Sequence, residues 1–293
     1  MKIGFLGMGV MGLGMAKNVL AKCGQPMLAY DVMEKQCEAF KAAGGTVAAD
    51  PMEIYETCDV ILQILPTHAI IRDSVEKAIK YGKPGRIIVD LSSTAPDIIL
   101  EMYQQTKEAG MYLLDSPVSG GNPMANAGTL AIMTGGDKEA FDQVEFILKC
   151  MGNPVYTGGS ASASVTKLVN NLIAGAYLVA QAEGYAFAAK AGIDLQTTFD
   201  ATRCGFAGGP LYDNKIPKLI KRDYEPGARI AVHRKDILNA KHYAHHLGVD
   251  TPMMDVVLHV MDWMNDNGYI DYDQIAMVKY YEDKMDVTVG SEE

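Results

Sequence analysis

Short apolar runs alternate with amphipathic stretches over residues 1–161 of the chain. The apolar runs have strand length and predict buried β-strands at 2–7, 26–31, 59–65, 86–93, 111–118, 129–136 and 153–159. Between them, helical spacing predicts helices at 10–23, 33–43, 51–56, 70–81, 96–109 and 138–151, with Asp50 capping the third. This alternation favours right-handed crossovers and an α/β fold, with a doubly wound and mainly parallel sheet that is covered by helices on both faces.

The pattern changes near residue 162, after which strand-like alternation is absent from the sequence. Helical periodicity continues, with predicted helices at 164–191, 195–203, 210–221, 236–247 and 252–265. We therefore expect an α/β domain at 1–161 and an all-helical domain at 162–293, which ends in a polar tail. Since no Pro- or Ser-rich linker separates them, the long helix is expected to join the two domains.

Composition narrows the class of partner and the compartment. The net charge is −10 and no Lys/Arg cluster stands out, which disfavours nucleic acid and anionic membrane surfaces. The five cysteines are scattered without a CxxC pair, as in a reduced intracellular chain without a zinc site. The apolar start is interrupted by Lys17 and has no cleavage site, and we find no run long enough to cross a membrane. We expect a cytoplasmic protein.

A glycine motif follows directly after the first predicted strand. Its residues are Gly7, Met8, Gly9, Val10, Met11 and Gly12, a GxGxxG pattern. Gly7 allows a tight turn, Gly9 lets a pyrophosphate approach the backbone, and Gly12 lets the helix pack close to the strand. The motif alone also fits a strand–helix turn without a ligand, so its context decides its weight.

Residues after the later strands extend this predicted nucleotide site. Asp31 ends the second strand, where a carboxylate binds ribose hydroxyls and repels a 2′-phosphate, which favours NAD over NADP. Leu65, Pro66 and Ser93 follow the next two strands, at the sheet edge where a cofactor binds in an open parallel sheet. The alternatives are a helix cap for Asp31 and ordinary strand-ending turns for the others.

The long helix carries a local polar patch in an otherwise apolar stretch. Lys167, Asn170 and Asn171 share one side, which continues with Ala174 and Leu178 instead of further charge. A lysine partly removed from solvent is suited to general acid/base chemistry, and an asparagine one turn along can hold a substrate hydroxyl or carbonyl. The alternative is a solvated surface lysine. We assign Asn170 a supporting role.

Two further segments complete the predicted site. Ser119, Gly120 and Gly121 present a hydroxyl and backbone N–H groups suited to a carboxylate, although a plain β-turn loop also fits. Lys235 and Asp236 are predicted to start a helix and to reach the cofactor or the lysine, or else to form a surface pair. No metal is predicted, because no carboxylate or cysteine completes a ligand set beside the histidines at 242, 245 and 246.

These motifs, in this order, resemble those of the β-hydroxyacid dehydrogenases, which include 3-hydroxyisobutyrate dehydrogenase and tartronate semialdehyde reductase. "FLGMGVMGLGMAKNV" is similar to the family's nucleotide motif, "DSPVSGG…AGTL" to its substrate loop and "KLVNNL" to its catalytic helix. The pair Lys235-Asp236 is similar to its C-terminal cofactor contact. The resemblance covers nearly the full length of the chain.

The resemblance implies a role for each predicted residue. Lys167 would be the general acid/base and Asn171 would orient the substrate, whose carboxylate would lie against Ser119, Gly120 and Gly121. Further cofactor contacts besides the glycine motif and Asp31 would come from Leu65, Pro66, Ser93 and Lys235. The resemblance also implies a Rossmann-type NAD-binding domain at 1–161 and a helical substrate and dimerisation domain at 162–293, which is like the C-terminal domain of 6-phosphogluconate dehydrogenase. It further implies NAD-dependent hydride transfer on a small 3-hydroxy acid or its semialdehyde, no metal, and a homodimer or homotetramer.

Departures from the family pattern leave the substrate open. Ala228 and Val232 stand where the family usually has Phe and Leu, and 204–212 is rich in glycine. Arg229, His233 and Arg234 are unusual before Lys235 and fit either a second anionic group on the substrate or pairing with surface acids. The substrate is thus 3-hydroxyisobutyrate-like, or else tartronate semialdehyde or a semialdehyde with a second anionic group.

Other functions are weighed on the same residues. Asn170 stands where 6-phosphogluconate dehydrogenase has His, and this chain is much shorter, which disfavours oxidative decarboxylation of a sugar phosphate. Imine reductases typically replace the lysine that this chain keeps. A catalytically silent NAD-binding interaction module is the alternative of another class. The presence of both Lys167 and Asn171 argues against such a module, because binding alone would need neither residue.

Overall fold

A computed structural model describes residues 1–291, so the end of the predicted polar tail, residues 292 and 293, lies outside the described residues. The chain divides into two compact units, Met1–Lys167 and a second that begins at Leu168. The first holds a nine-stranded sheet with flanking helices, and the described part of the second is built from helices. The predicted fold class, a Rossmann-type sheet followed by a helical region, is confirmed.

The sheet of the first unit has the strand order of a doubly wound fold. Its strands are β1 (Ile3–Leu6), β2 (Met27–Tyr30), β3 (Thr46–Val47), β4 (Val60–Gln63), β5 (Ile87–Asp90), β6 (Tyr112–Asp115), β7 (Val118–Ser119), β8 (Leu130–Gly135) and β9 (Gly152–Gly158). The order is β3-β2-β1-β4-β5-β6-β8-β7, with β9 also paired to β8. The pairs from β3 to β6 are parallel, and β8 runs antiparallel to β6 and β7. This order places a switch point at β1 and β4, where doubly wound sheets bind ligands.

Helices cover both faces of this sheet. They are α1 (Gly12–Lys22), α2 (Glu34–Lys41), α3 (Pro51–Thr57), α4 (His68–Lys80), α5 (Pro96–Glu108), α6 (Gly121–Ala127) and α7 (Lys138–Leu148). Asp50 caps α3 as predicted, because its side chain accepts hydrogen bonds from the N–H groups of Met52 and Glu53. The buried apolar residues form one cluster around β1 and α1 and a second around β4 and α4.

Three short elements of the first unit were not predicted from the sequence. The single strand predicted at 111–118 is divided into β6 and the two-residue β7. Strand β3 has only two residues and pairs with β2 at the edge of the sheet, so it has no apolar run to reveal it. Helix α6 contains Pro123 and ends at Gly128, which has a left-handed φ of 69°. A helix of seven residues that contains a glycine and a proline has no apolar periodicity to read.

The second unit is a helical bundle around its own core. Its helices are α9 (Leu195–Thr202), α10 (Pro210–Ile220), α11 (Ile230–His246), α12 (Pro252–Asp266) and α13 (Val278–Met285), with a 3-10 helix at Gln274–Met277. Helix α8 (Ser162–Lys190) begins in the first unit and continues into the second. The 3-10 helix and α13 were not predicted.

The predicted start of α11 at residue 236 is wrong, because the helix begins at Ile230. The buried positions of its first two turns include His233 and Asp236, and a buried aliphatic residue recurs only at Ile237. Apolar periodicity therefore becomes readable almost two turns after the helix has begun. Lys235 and Asp236 consequently lie inside the helix.

Helix α8 requires a correction to the expectation that no segment could cross a membrane. By length and composition alone this helix could do so. Part of it packs in the core of the second unit, through Leu178, Val179, Ala182, Tyr185 and Ala186. A buried helix of a globular unit passes the same test of length and composition. One such helix is therefore weak evidence for a membrane span.

Candidate nucleotide and catalytic residues

The turn between β1 and α1 is shaped by its glycines. Gly7 has a φ of 91°, and a Cβ atom there would lie 2.2 Å from the carbonyl oxygen of Ile64. A Cβ atom at Gly12 would lie 2.1 Å from the carbonyl oxygen of Gly7. A Cβ atom at Gly9, by contrast, would meet no atom within 4 Å. Packing within the protein thus requires Gly7 and Gly12, whereas Gly9 leaves open space beside the backbone, as a pyrophosphate site needs.

The other residues of the motif divide between core and surface. The Met8 side chain is fully buried, Met11 is half-buried at the N-cap position of α1, and Val10 is 73% exposed. The exposed apolar Val10 adjoins Gly9 in the turn. The motif therefore presents its backbone, rather than charged side chains, at the start of a helix, where N–H groups lack partners in the helix.

Asp31 joins the glycine turn to the end of β2. Its carboxylate accepts hydrogen bonds from the N–H of Met8 at 2.5 Å and from the N–H of Met33 at 2.8 Å. It does not act as the N-cap residue of α2, which is Met33. Each carboxylate oxygen has a further lone pair after these contacts. The geometry leaves Asp31 the capacity to accept from ribose hydroxyls as well.

Leu65 and Pro66 lie beyond the carboxyl end of β4, which is next to β1, and Ser93 lies beyond the carboxyl end of β5, which is next to β4. The N–H of Leu65 donates to the hydroxyl oxygen of Ser92 at 2.9 Å, which links the two strand ends. The buried Asp90 anchors the second of them, since it accepts from the Thr94 hydroxyl at 2.6 Å. Burial raises the pKa of Asp90, against the effect of these hydrogen bonds.

The segment Ser119-Gly120-Gly121 joins β7 to α6. Ser119 pairs with Ala131 of β8, and Gly120 and Gly121 have φ values of 137° and 68°. Both glycines therefore adopt backbone conformations that other residues rarely take. The plain loop considered from the sequence is instead a strand–helix turn.

Asn18 of α1 was not singled out from the sequence. Its buried carboxamide donates to the carbonyl oxygens of Ala125 at 2.9 Å and Asn126 at 3.0 Å, both in α6. One side chain thus ties the helix of the glycine motif to the helix that follows Gly121. The available signal was a polar residue on the buried face of an amphipathic helix, next to Val19.

Asp115, at the end of β6, holds the start of α8. Its carboxylate accepts from the N–H of Ser164 at 2.8 Å and from the N–H of Ala161 at 3.2 Å. Burial raises the pKa of Asp115 to about 6, although these hydrogen bonds favour the charged form. Lys167 is half-buried and follows Ser164 by three residues on the same helix. Asp115 was likewise not predicted as a functional residue.

Asn171 lies one turn after Lys167 on α8 and is buried. Its carboxamide nitrogen donates to the Asp236 carboxylate at 2.9 Å, and its carboxamide oxygen accepts from Asn170 at 3.0 Å. Lys235 forms an ion pair with Asp236 at 3.2 Å, and its side chain is 45% exposed. The structure thus connects the two polar pairs that the sequence placed far apart, through Asp236.

The arginines before Lys235 both have acidic partners. Arg229 pairs with Asp271 at 3.1 Å and Arg234 with Asp262 at 2.7 Å. This is the pairing with surface acids considered from the sequence. His233 differs from both, because it is 4% exposed.

Comparison with known proteins places the chain in a family. Residues 2–159 match the family model of the NAD binding domain of 6-phosphogluconate dehydrogenase. Residues 161–281 match the model described as NAD-binding of NADP-dependent 3-hydroxyisobutyrate dehydrogenase. Together with the glycine turn and the sheet order, these matches show a nicotinamide dinucleotide-binding protein.

Similar proteins extend over nearly the whole chain. It is 31% identical to 2-hydroxy-3-oxopropionate reductase of Escherichia coli, over 96% of this chain and 97% of that protein. It is 27% identical to L-threonate dehydrogenase of Cupriavidus necator, over 95% of both. The solved structure of a 3-hydroxyisobutyrate dehydrogenase from Salmonella typhimurium is similar, with a TM-score of 0.87 at 25% identity over 95% of this chain and 99% of that one.

The chain belongs to the β-hydroxyacid dehydrogenase family. It is an oxidoreductase of hydroxy acids that uses a nicotinamide cofactor and acts on a CH–OH group. The relatives differ in the acid that each name specifies, so the family does not define the substrate. An imine reductase from Streptomyces aurantiacus, at 20% identity and a TM-score of 0.63, shares the fold alone.

Proposed function

We propose that this protein transfers a hydride between NAD(H) and a small 3-hydroxy acid or its semialdehyde, with Lys167 as general acid/base. The observation that carries this proposal is the arrangement on α8, where Asn171 follows Lys167 by one turn and is held by Asp236. A fixed carboxamide beside a lysine suits the binding and protonation of an alcohol or carbonyl oxygen.

Each residue has a defined part in the reaction. In oxidation, Lys167 takes the proton of the substrate hydroxyl, and in reduction it returns a proton to the oxygen. Asn171 orients that oxygen, and Ser119, Gly120 and Gly121 bind the carboxylate. The bound nicotinamide supplies the hydride exchange. The chain supplies orientation and charge stabilisation.

The same proposal assigns the cofactor contacts. Asp31 selects NAD over NADP, because its carboxylate accepts from ribose hydroxyls and repels a 2′-phosphate. Leu65, Pro66 and Ser93 are assigned to the cofactor on account of their place beyond β4 and β5, and Lys235 on account of the family pattern. Gly9 and Val10 receive the pyrophosphate at the open turn, where a Cβ at Gly9 would meet no protein atom.

The favoured substrate is 3-hydroxyisobutyrate or a similar acid. A second candidate is tartronate semialdehyde, supported by the E. coli relative at 31% identity whose name is 2-hydroxy-3-oxopropionate reductase. A substrate with a second anionic group is less favoured, since Arg229 and Arg234 already pair with acids. We further propose a cytoplasmic homodimer or homotetramer on the family pattern, to be checked by light scattering.

Absorbance at 340 nm tests the proposal with the purified protein, NAD+ or NADP+ and a panel of hydroxy acids. The panel contains 3-hydroxyisobutyrate, glycerate, 3-hydroxypropionate, 4-hydroxybutyrate and acids with a second carboxylate or a sulfonate. The semialdehydes with NADH test the reverse direction. A cyclic imine with NADH or NADPH tests for imine reduction. Turnover of a hydroxy acid with a preference for NAD+ supports the proposal. Tight NADH binding without any turnover would instead indicate the silent module, and turnover of the imine alone an imine reductase.

A further inference from the structure

We propose that His233 is a positioning residue, which holds the backbone of Asn171 while Asp236 holds its side chain. The inference rests on the proposed role of Asn171 in binding the substrate. His233 and Asp236 are three residues apart on α11 and therefore share one face of that helix. One helix thus forms two hydrogen bonds with a single residue of α8, Asn171.

Both hydrogen bonds to Asn171 have ordinary lengths and are buried. His233 Nε2 lies 2.9 Å from the carbonyl oxygen of Asn171, and Asp236 Oδ2 lies 2.9 Å from Asn171 Nδ2. The three residues are 4%, 7% and 6% exposed for His233, Asn171 and Asp236. Buried hydrogen bonds of this kind are costly to leave unmade, so they restrict the residue they join.

Both ring nitrogens of His233 are engaged. The carbonyl oxygen of Asn171 can only accept, so Nε2 carries the proton and donates. His233 Nδ1 then accepts from Gln274 Nε2 at 2.9 Å. Gln274 follows Asp273, which is anchored by a buried ion pair with Lys215 at 2.7 Å. The ring is therefore held from its far side by a fixed segment.

Gly175 of α8 lies beside the ring of His233. In α8 the carbonyl of Asn171 is also the acceptor for the N–H of Gly175, four residues on. A Cβ atom at Gly175 would lie 3.4 Å from His233 Cε1 and Nε2, and 3.1 Å from a methyl of Val257. A methyl group at residue 175 would thus be in ordinary van der Waals contact with the ring and would press more closely on Val257.

The contacts of Asn171 with α11 leave its carboxamide able to bind a ligand. A carboxamide has two N–H donors and two acceptor lone pairs. Asp236 uses one donor and Asn170 one lone pair. One donor and one lone pair are left for a substrate oxygen, and the proposal assigns His233 the task of fixing where they lie. Small displacements of such a group lower the rate steeply.

Two substitutions at residue 233 distinguish the roles of the two ring nitrogens. In His233→Gln the amide nitrogen replaces Nε2 and can still donate to Asn171, whereas in His233→Asn the amide replaces Nδ1 and the donor is lost. We expect His233→Gln to keep kcat within threefold of the wild type. We expect His233→Asn to lose 10- to 100-fold in kcat, with an unchanged Kd for NADH by fluorescence.

A double-mutant cycle with Asn171→Ala tests whether His233 acts through Asn171. In the Asn171→Ala protein, adding His233→Asn should leave kcat unchanged. The inference is overturned by wild-type kcat in His233→Asn, by equal losses in both residue-233 variants, or by an additive effect in the cycle. Wild-type kcat in Asn171→Ala alone would overturn the proposed role of Asn171, and an inactive wild type the proposed function.

Nitrogen NMR of the wild-type protein provides a test that does not depend on how the variants fold. The 15N shifts of the His233 ring should show a proton on Nε2 and none on Nδ1. A ring protonated at Nδ1 alone would contradict the contact with the Asn171 carbonyl and overturn the inference.

Discussion

Asp31 combines a structural contact and a proposed cofactor contact in one carboxylate. Its hydrogen bonds to the N–H groups of Met8 and Met33 hold the glycine turn against the end of β2. Its charge is what is proposed to exclude a 2′-phosphate. A neutral side chain of the same shape can keep an acceptor for the turn but removes that repulsion.

Asp31→Asn should therefore lower the preference for NAD+. We expect the ratio of kcat/KM for NAD+ to that for NADP+ to fall by roughly tenfold, or about 1.4 kcal/mol. Steady-state assays at 340 nm with both cofactors measure it. Asp50→Asn is the matched control, since Asp50 is an exposed cap of α3. An unchanged ratio in Asp31→Asn would contradict the assignment.

At the scale of elements, the β1–α1 turn separates glycines that the fold needs from a glycine that a ligand needs. A Cβ atom at Gly12 would collide with the backbone of Gly7, whereas one at Gly9 would point into open space. Substitution of the two should therefore affect different properties of the protein.

Gly12→Ala should lower the thermal midpoint, because backbone must move to relieve the collision, at a cost of about 1–3 kcal/mol. Gly9→Ala should leave the midpoint nearly unchanged and raise the Kd for NADH at least tenfold, by roughly 1.4 kcal/mol or more. Differential scanning fluorimetry and fluorescence titration measure the two effects. Wild-type NADH affinity in Gly9→Ala would count against a pyrophosphate at this turn.

The stability of the folded protein should depend on pH through Asp115, whose carboxylate binds the start of α8. Its pKa of about 6 in the fold lies above its ordinary value of 3.8, so the folded state binds the proton more tightly. The contribution to stability is therefore complete below pH 3.8 and is lost as the pH rises through about 6, with a total of about 3 kcal/mol at most.

Thermal midpoints of the wild type and Asp115→Asn, measured from pH 4.5 to pH 8, test this dependence. The wild type should lose stability relative to the variant between pH 4.5 and about pH 7, with no further change above. Because the difference between the two proteins is followed, other titrating groups cancel. A difference that is constant with pH, or that grows in favour of the wild type, would contradict the assignment.

Elements with a regular repeat of apolar residues were predictable from the sequence. Where polar residues occupy the buried positions, the repeat is interrupted and the element was misjudged. The core strands and helices of the first unit match the prediction to within a few residues, because strand–helix alternation is written in their apolar runs. The start of α11 was predicted too late because two polar residues, His233 and Asp236, lie on its buried face. The contacts made by Asn18 and Asp115 join distant parts of the chain, and a single sequence does not show which parts meet.

At the scale of the whole molecule, the two units carry different parts of the proposed reaction. The glycine turn, Asp31 and Ser119 belong to the first unit, whereas Asn171 and Lys235 belong to the second. Helix α8 runs through the division, with Lys167 as the last residue of the first unit. The family matches divide in the same region, at 2–159 and 161–281.

NADH should stabilise the intact protein. Binding to the folded state alone adds about 2.7 kcal/mol when NADH is present at a hundred times its Kd. For a chain of 293 residues that unfolds as a whole, we expect the thermal midpoint to rise by roughly 4–5 °C. Gly9→Ala at the same NADH concentration should show a much smaller rise. No shift in the wild type would contradict a cofactor site in the first unit.

The most direct test of the central claim compares two lysines of α8. Lys167→Ala and Lys190→Ala remove the same side chain from one helix, and Lys190 is an exposed residue at its far end, bonded to the carbonyl of Asp286. With NAD+ and the preferred hydroxy acid at saturation, we predict that Lys167→Ala lowers kcat by roughly 10²- to 10⁴-fold. Lys190→Ala should keep wild-type kcat. Wild-type kcat in Lys167→Ala would contradict its role as general acid/base.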